Sequence, residues 1–353
     1  MKNVLKSLAL VAVSALAVVS CQKNELAGQN DGEDVFFSLR TGETKTYIVQ
    51  DGNKYLPNWA KGDEIGVFFD EFAKDKTAPA GKLTNSNESG NAAKFEGTIS
   101  SAPESGTIYA FYPSSALGKT YDGQSIGFDM PSVQHPTATS FDPAADILVA
   151  KPVGFTATDG VVNVENMYFA RILATLKVNL NSDFADVKNK KVSSFKLEAT
   201  KAILSGRAAV SMTAEDGKIT VWNTESKTVS ATYDETSTVA VAGEYNSVFV
   251  TINPKTITAG ETITFTIETE GYIITKAIAL TSDIVLTPGN LTEINLGIVE
   301  ENCEKKVAET RIWVENFDKV TEASQATPGQ TGAAGTGVSD NLTYTYSPNK
   351  TNV

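Results

Sequence analysis

YFARILATLKVNL, residues 168–180, is the most regular stretch of this chain. Tyr168, Ala170, Ile172, Ala174, Leu176, Val178 and Leu180 alternate with Phe169, Arg171, Leu173, Thr175, Lys177 and Asn179. Successive side chains of an extended chain point to opposite faces, so the first set makes one apolar face and the polar members of the second reach solvent or a rim. A helix competes, because residues 168, 172 and 176 also lie four apart. The alternation predicts one long strand.

Shorter alternations follow it: Phe195, Leu197 and Ala199, then Val248, Val250 and Ile252, then Ile263, Phe265 and Ile267. Each predicts a one-sided strand, and sheets of such strands must pack face to face, as in a sandwich. TPGNLTEINLGIVE, residues 287–300, supplies a turn and a last core strand. Upstream, DVFFSLR, TYIVQDG, DEIGVFFD, GTIYAFYPS and ADILVAK read as strands separated by turn residues. Pro113 lacks a ladder donor and ends its strand or puts it at an edge. The fold class is therefore all-β. Its expected division is residues 1–20 as export signal, 21–34 as tether, 35–158 and 159–300 as two β-domains, and 301–353 as tail, linker or incomplete third domain.

The chain has 353 residues and a formal charge of −12. It opens with Lys2 and Lys6, an apolar run from Leu8 to Val19, and small residues beside Cys21. That run is too short and wrongly flanked for an ordinary bilayer span and reads as an export signal. Val18-Val19-Ser20-Cys21 resembles a bacterial lipobox, in which the thiol receives diacylglycerol, the signal is cut before the cysteine, and the new amino group is acylated, typically with palmitate. An uncleaved signal or short anchor is the plainer alternative. Several acyl chains on one residue hold a protein on a membrane where one binds reversibly, so Cys21 is read as an anchor. Lipidation leaves Cys303 without an intramolecular partner. After processing, about 330 residues remain, enough for two domains.

Neither nucleic acid nor catalysis finds support. An acidic chain without a basic stripe cannot replace phosphate counterions. His135, the one histidine, sits in PSVQHPT, a loop-like context with no grouped nucleophile. Asp129, Asp142 and Asp146 are scattered turn acids, with neither the regular spacing of a calcium loop nor any sign of a glycosidase pair. GQTGAAGTG, residues 329–337, leads into VSDN and not into a lysine-bearing helix start. No catalytic residue, metal site or cofactor is expected.

LPNWAKGDEIGVFFD, GTIYAFYPSS, FDMPSVQHP, ADILVAKPV, YFARILATLKVNL and LTPGNLTEINLGI resemble, in that order, the recurring segments of the fimbrillin-like lipoproteins of Bacteroidetes, the group of major and minor fimbrial subunits. The likeness spans residues 34–299. It implies two tandem transthyretin-like β-sandwich domains of Greek-key type, carried as a surface-exposed lipoprotein of the outer membrane or a fimbrium. It also implies that an arginine-specific protease removes an N-terminal segment and that the groove left behind accepts a strand from another fimbrial subunit, alike or different, with no cofactor. Trp59, Gly62, Asp63, Ile65, Gly66 and Phe68 match the family's early pattern, and Tyr109, Phe111, Tyr112 and Pro113 its aromatic-rich strand; these imply fold determinants. Phe169, Arg171 and Leu173 fall where the family often has Phe-x-His, and Arg171 departs from it. A guanidinium keeps its charge, so Arg171 is expected at a solvated rim or paired with an acid. Arg40, in FSLRTGE, resembles a processing point, with an ordinary exposed arginine as the alternative.

RIWVENFDKV, residues 311–320, suits a further β-domain, a packing strand or a donor strand. The leading expectation is thus a structural or adhesion lipoprotein with a host protein or glycan ligand the sequence does not name. The competing one is a non-polymerising glycan-binding lipoprotein for polysaccharide uptake, for which Trp222 and Trp313 are the candidate stacking residues.

Overall fold

Apolar runs of five to nine residues broken by Gly, Asn, Asp and Pro are too short for stable helices, and they pair instead as strands. In the computed structural model the described residues are 34–306 apart from 42–46, 52–53, 70–77, 88–89, 121–123, 214–218, 223–224, 235–238 and 244, together with 335–339 and 342–346. Among them there is no α-helix, only three short 3₁₀ turns. Cys21 and Trp313 lie outside the described residues.

The first fourteen strands are β1 (Val35–Thr41), β2 (Tyr47–Asp51), β3 (Lys54–Asn58), β4 (Glu64–Phe69), β5 (Gly81–Asn85), β6 (Lys94–Ile99), β7 (Ser105–Tyr112), β8 (Leu117–Thr120), β9 (Ser125–Asp129), β10 (Val133–Gln134), β11 (Leu148–Ala150), β12 (Val153–Thr156), β13 (Val161–Met167) and β14 (Phe169–Arg171). Nine of them form one sheet in the order β13-β1-β6-β5-β4-β7-β11-β14, with β12 also on β7. One face of the sheet folds over a first core. Phe37 on β1 meets Phe155 on β12 at 5.7 Å, and Trp59 meets Phe95 on β6, Tyr112 on β7 and Phe169 on β14 at 5.0, 5.3 and 5.5 Å. Such edge-on aromatic contacts favour the ring quadrupoles and fill a large volume.

The remaining strands are β15 (Ala174–Ser182), β16 (Val192–Ala199), β17 (Arg207–Ser211), β18 (Ile219–Trp222), β19 (Thr228–Thr232), β20 (Asn246–Ile252), β21 (Thr256–Ile257), β22 (Thr262–Thr269), β23 (Tyr272–Ala279), β24 (Ile284–Val285), β25 (Leu291–Ile298), β26 (Cys303–Lys305), β27 (Gly335–Ser339) and β28 (Leu342–Tyr346). Around the second core lie a six-stranded sheet, β10-β19-β16-β22-β23-β26, a three-stranded sheet, β20-β15-β25, and a four-stranded sheet, β18-β17-β9-β8. Phe195, Leu197 and Ala199 on β16 alternate with exposed or half-buried neighbours, as do Ile263, Phe265 and Ile267 on β22. The all-β, sandwich-type reading therefore describes the molecule.

Two details differ from the sequence reading. Residues 168–180 form two strands in different sheets, β14 in the first and β15 in the three-stranded one. The alternation breaks at Ile172 and Leu173, which are both buried, and Tyr168 is 58% exposed while Phe169 is buried. Period two across the whole stretch fails because the chain crosses from one core to the other there. Secondly, the division expected at 158/159 falls between β12 and β13, which belong to the same sheet, and β26 continues the six-stranded sheet past residue 300.

A further exchange ties the halves together. β8, β9 and β10, from the first half of the chain, join the sheets of the second core: β9 pairs with β17, and β10 with β19. Phe68, Phe111, Ile147 and Val149 consequently face the second core, while their neighbours Val67, Ala110 and Leu148 face the first. Gln134 is fully buried, and its side-chain amide mimics a strand, donating to Thr251 O (2.7 Å) and accepting from Thr251 N (2.8 Å). Elsewhere Glu261 accepts from Lys201 N and Ala202 N with Oε2 and from Thr258 N and Oγ1 with Oε1. Burial would raise its pKa, yet these donors hold it below the ordinary glutamate value.

Candidate functional site

β1 is an interior strand. It runs antiparallel to β6, with Val35 opposite Ile99 and Arg40 opposite Lys94, and parallel to β13, with Phe36 opposite Val161 and Leu39 opposite Val164. Val35, Phe37 and Leu39 point into the core, the last two fully buried. Thr41 completes the inward row and accepts from Ala93 N through its hydroxyl at 2.9 Å. The outward row is Phe36, Ser38 and Arg40, and Phe36 is 38% exposed.

The ladder to β13 slips at Arg40. Leu39 opposes Val164 but Thr41 opposes Met167, so two residues of β13, Glu165 and Asn166, face one of β1. Asn166 takes a left-handed φ of 61° there. Bulges of this kind interrupt pairing and re-aim side chains. The Arg40 side chain is 58% exposed and its Nε lies 3.6 Å from Glu165 Oε1, an open pair of little strength. An accessible arginine thus stands at the inner end of a core strand, beside a local break in the sheet.

The other positions of the early pattern build the wall between this core and the second. Trp59 is fully buried, and its Nε1 has no hydrogen-bond partner among the described residues. Gly62 takes φ +88°, a conformation that suits glycine, and lets Asp63 turn back to accept from Ala60 N at 2.7 Å and from the Tyr112 hydroxyl at 3.1 Å. Asn85 closes the network, donating to Ala60 O and accepting from Lys94 N. Ile65 packs in the first core and Gly66 abuts Pro79, while Phe68 and Phe111 lie in the second core with Tyr109 against it. Pro113 follows the last residue of β7.

Phe169 packs in the first core and Leu173 in the second. Between them Arg171 is largely buried and makes a forked pair with Asp146, Nε to Oδ1 at 2.8 Å and Nη2 to Oδ2 at 3.0 Å. Its guanidinium lies 5.2 Å from the Phe141 ring centroid. Burial outweighs the arginine and pushes Asp146 up to about 6. Asp142 caps the adjoining turn by accepting from Ala144 N and His135 N, and Asp129 pairs with Arg207. His135 Nδ1 is 2.9 Å from Thr232 Oγ1. Asp142 thus shapes a loop, Asp129 makes a cross-strand pair between β9 and β17, and Asp146 neutralises a buried guanidinium. Trp222 ends β18 opposite Ala208, and its side chain is outside the described set.

A family model described as fimbrillin-like matches residues 44–315. The chain belongs to the fimbrillin-like family. The match begins beyond β1 and Arg40. No curated protein matches the chain. Among solved structures, a candidate cell-adhesion protein of Bacteroides uniformis is similar at 19% identity and a TM-score of 0.47, covering 77% of this chain and 95% of the other. A second candidate cell-adhesion protein, from Bacteroides ovatus, is 13% identical with a TM-score of 0.46 over 78% and 96%. A fimbrial assembly protein of Parabacteroides distasonis is 10% identical with a TM-score of 0.33 over 77% and 93%. The assignment rests on the family model.

What sequence reasoning missed is that EIGVFF, TIYAFY and ILVA in this fimbrillin-like chain are covered on both faces. Their apolar residues are consecutive and not alternating, which is the pattern of strands buried on both sides.

Proposed function

We propose that this chain is a fimbrial or adhesion subunit of the bacterial surface, lipidated at Cys21 and held at the outer membrane, that assembles by strand exchange after cleavage behind Arg40. The observation that carries this reading is the place of β1: an interior strand whose inward residues complete a core and whose penultimate residue is an exposed arginine at a bulge. A cut between Arg40 and Thr41 would free β1 from the chain. Losing Val35, Phe37 and Leu39 from the core would forfeit roughly 5–9 kcal/mol of apolar burial at about 1.5–3 kcal/mol per side chain.

β6 and β13 would then face each other across a gap one strand wide, each with unpaired backbone groups. Filling that gap with a strand from a neighbour restores both ladders, and alternate apolar side chains replace the lost plugs. No cofactor or cation has a part in this. The family assignment supports the fimbrial or adhesion role.

The test is the mass and N-terminal residue of the protein taken from its native membrane, before and after brief treatment with an arginine-specific protease. A lipid-bearing precursor that gains Thr41 as its N-terminus and then forms SDS-resistant ladders is the expected result. A lipid-Cys21 form that stays intact and never assembles would refute the polymerising role.

A further inference from the structure

An open cleft of about 620 Å³ lies at one end of the second sandwich, lined by Lys188, Asn189, Ala242, Gly243, Tyr245 and Asn246. Its floor is tied to the sheet: Ser182 N donates to Ala242 O at 2.9 Å and the Asn181 amide to Gly243 O at 3.3 Å, where the end of β15 bridges Ala242 through Asn181. The walls are a turn at residues 187–190 and the start of β20. Tyr245 leaves 53% of its surface in solvent, more than packing requires. The Lys188 stem lies over Gly243, where a Cβ would come within 2.6 Å of its Cε and 2.7 Å of its Nζ. Among the described residues that ammonium pairs with Asp183 at a distant 3.8 Å.

The cleft is polar, with one exposed ring, two amides and one cation. Buried apolar pockets take drug-like ligands. An open aromatic face with amides that both donate and accept suits a sugar, whose C–H face stacks and whose paired hydroxyls need both functions. Among the described lining residues Lys188 is the cation, and its ammonium provides for one negative group on the ligand.

Pairing registers put Val35, Ile99 and Ser105 at one end of the first sheet and Arg40, Tyr112 and Leu148 at the other, where β14 leads into β15. In the second sandwich Ala174 and Ile252 lie at that junction, and Leu180, Asn246 and Ile298 at the far end. The cleft therefore lies at the end of β15 and β20 away from the β14–β15 junction.

We propose that this cleft is a glycan subsite for a carboxylate-bearing sugar, with Tyr245 as stacking platform, Asn189 and Asn246 as hydroxyl partners and Lys188 as the carboxylate partner. It does not depend on cleavage at Arg40. The test is calorimetry on the full chain in detergent, with a tetragalacturonate and a neutral galactotetraose. The acidic sugar is expected to bind more tightly. Tyr245→Ala should weaken both by about tenfold. Lys188→Met should erase the preference, and Gly243→Ala, by displacing the ammonium, should reduce it with Tm unchanged. Failure of the wild type to bind either sugar at millimolar concentration, equal binding of the two, or an unchanged affinity in Tyr245→Ala overturns the proposal.

Discussion

Phe37→Ala tests whether β1 must leave the sheet before it is cut. Phe37 is fully buried and meets Phe69 and Phe155 at ring separations of 5.4 and 5.7 Å. Truncating a buried phenylalanine costs about 3–5 kcal/mol, because the cavity relaxes only partly. If β1 opens locally, that loss falls on the opening step. At about 1.4 kcal/mol per tenfold, the opened population rises by roughly 150-fold or more. When reclosing outpaces cleavage, the proteolysis rate follows that population. The assay is the initial rate at which an arginine-specific protease generates the Thr41 N-terminus under native conditions. Phe265→Ala on β22 serves as the control, since it empties a comparable site in the second core. Phe37→Ala should accelerate cleavage far more than the control. Equal acceleration would mean cleavage proceeds by global unfolding, and an unchanged rate would mean Arg40 is cut in the closed sheet; either result refutes the reasoning.

Asp146→Asn should reveal a pH-dependent cost. The native carboxyl titrates near 6, above its ordinary value of 3.8, so its stabilising contribution is present below about 4 and is lost as pH rises through 6. Urea midpoints at pH 4 and 7 should show the wild type losing about 3 kcal/mol relative to the variant over that range, and parallel profiles would contradict the raised value. Glu261→Gln should behave oppositely. A depressed carboxylate stabilises above its ordinary range and ceases to as pH falls through its native value, so the variant should be destabilised by about 1–3 kcal/mol at pH 7 and far less in acid. Gln134→Ala strands the buried N–H and C=O of Thr251, and chemical denaturation should register a loss of about 2–4 kcal/mol; a neutral effect would show that water replaces the amide.

The loop at residues 141–146 shows how a motif's chemistry can be read correctly while its setting stays hidden. A charged side chain at 171 had to find water or an acid, and residue type alone says so. That the acid is Asp146, and that Phe141 covers the pair while packing on Phe249, depends on which loop the two sandwiches press together. Cys21 and Trp313 lie outside the described residues. Tyr245 and Lys188 carry no motif. They become a cleft because a turn and a strand start from distant segments meet at one pole.

Strand type was legible because side-chain alternation is a local property: a strand with one wet face must place apolar residues every second position, as β16 and β22 do; β20 departs from the one-sided reading, since Phe249 and Thr251 are buried along with Val248, Val250 and Ile252. The turn at Gly62-Asp63 and the end of β7 before Pro113 were legible for the same reason, since φ preference and a missing donor act within a few residues. Which strands become neighbours is not local. β1 lies between β6 and β13, and β8 to β10 cross into the second core, because apolar faces carry no address and settle wherever the whole chain buries them most completely. The accessible arginine was visible in the amino-acid order; its place at a bulge on an interior strand is a consequence of packing across 125 residues of chain, from Arg40 to Glu165.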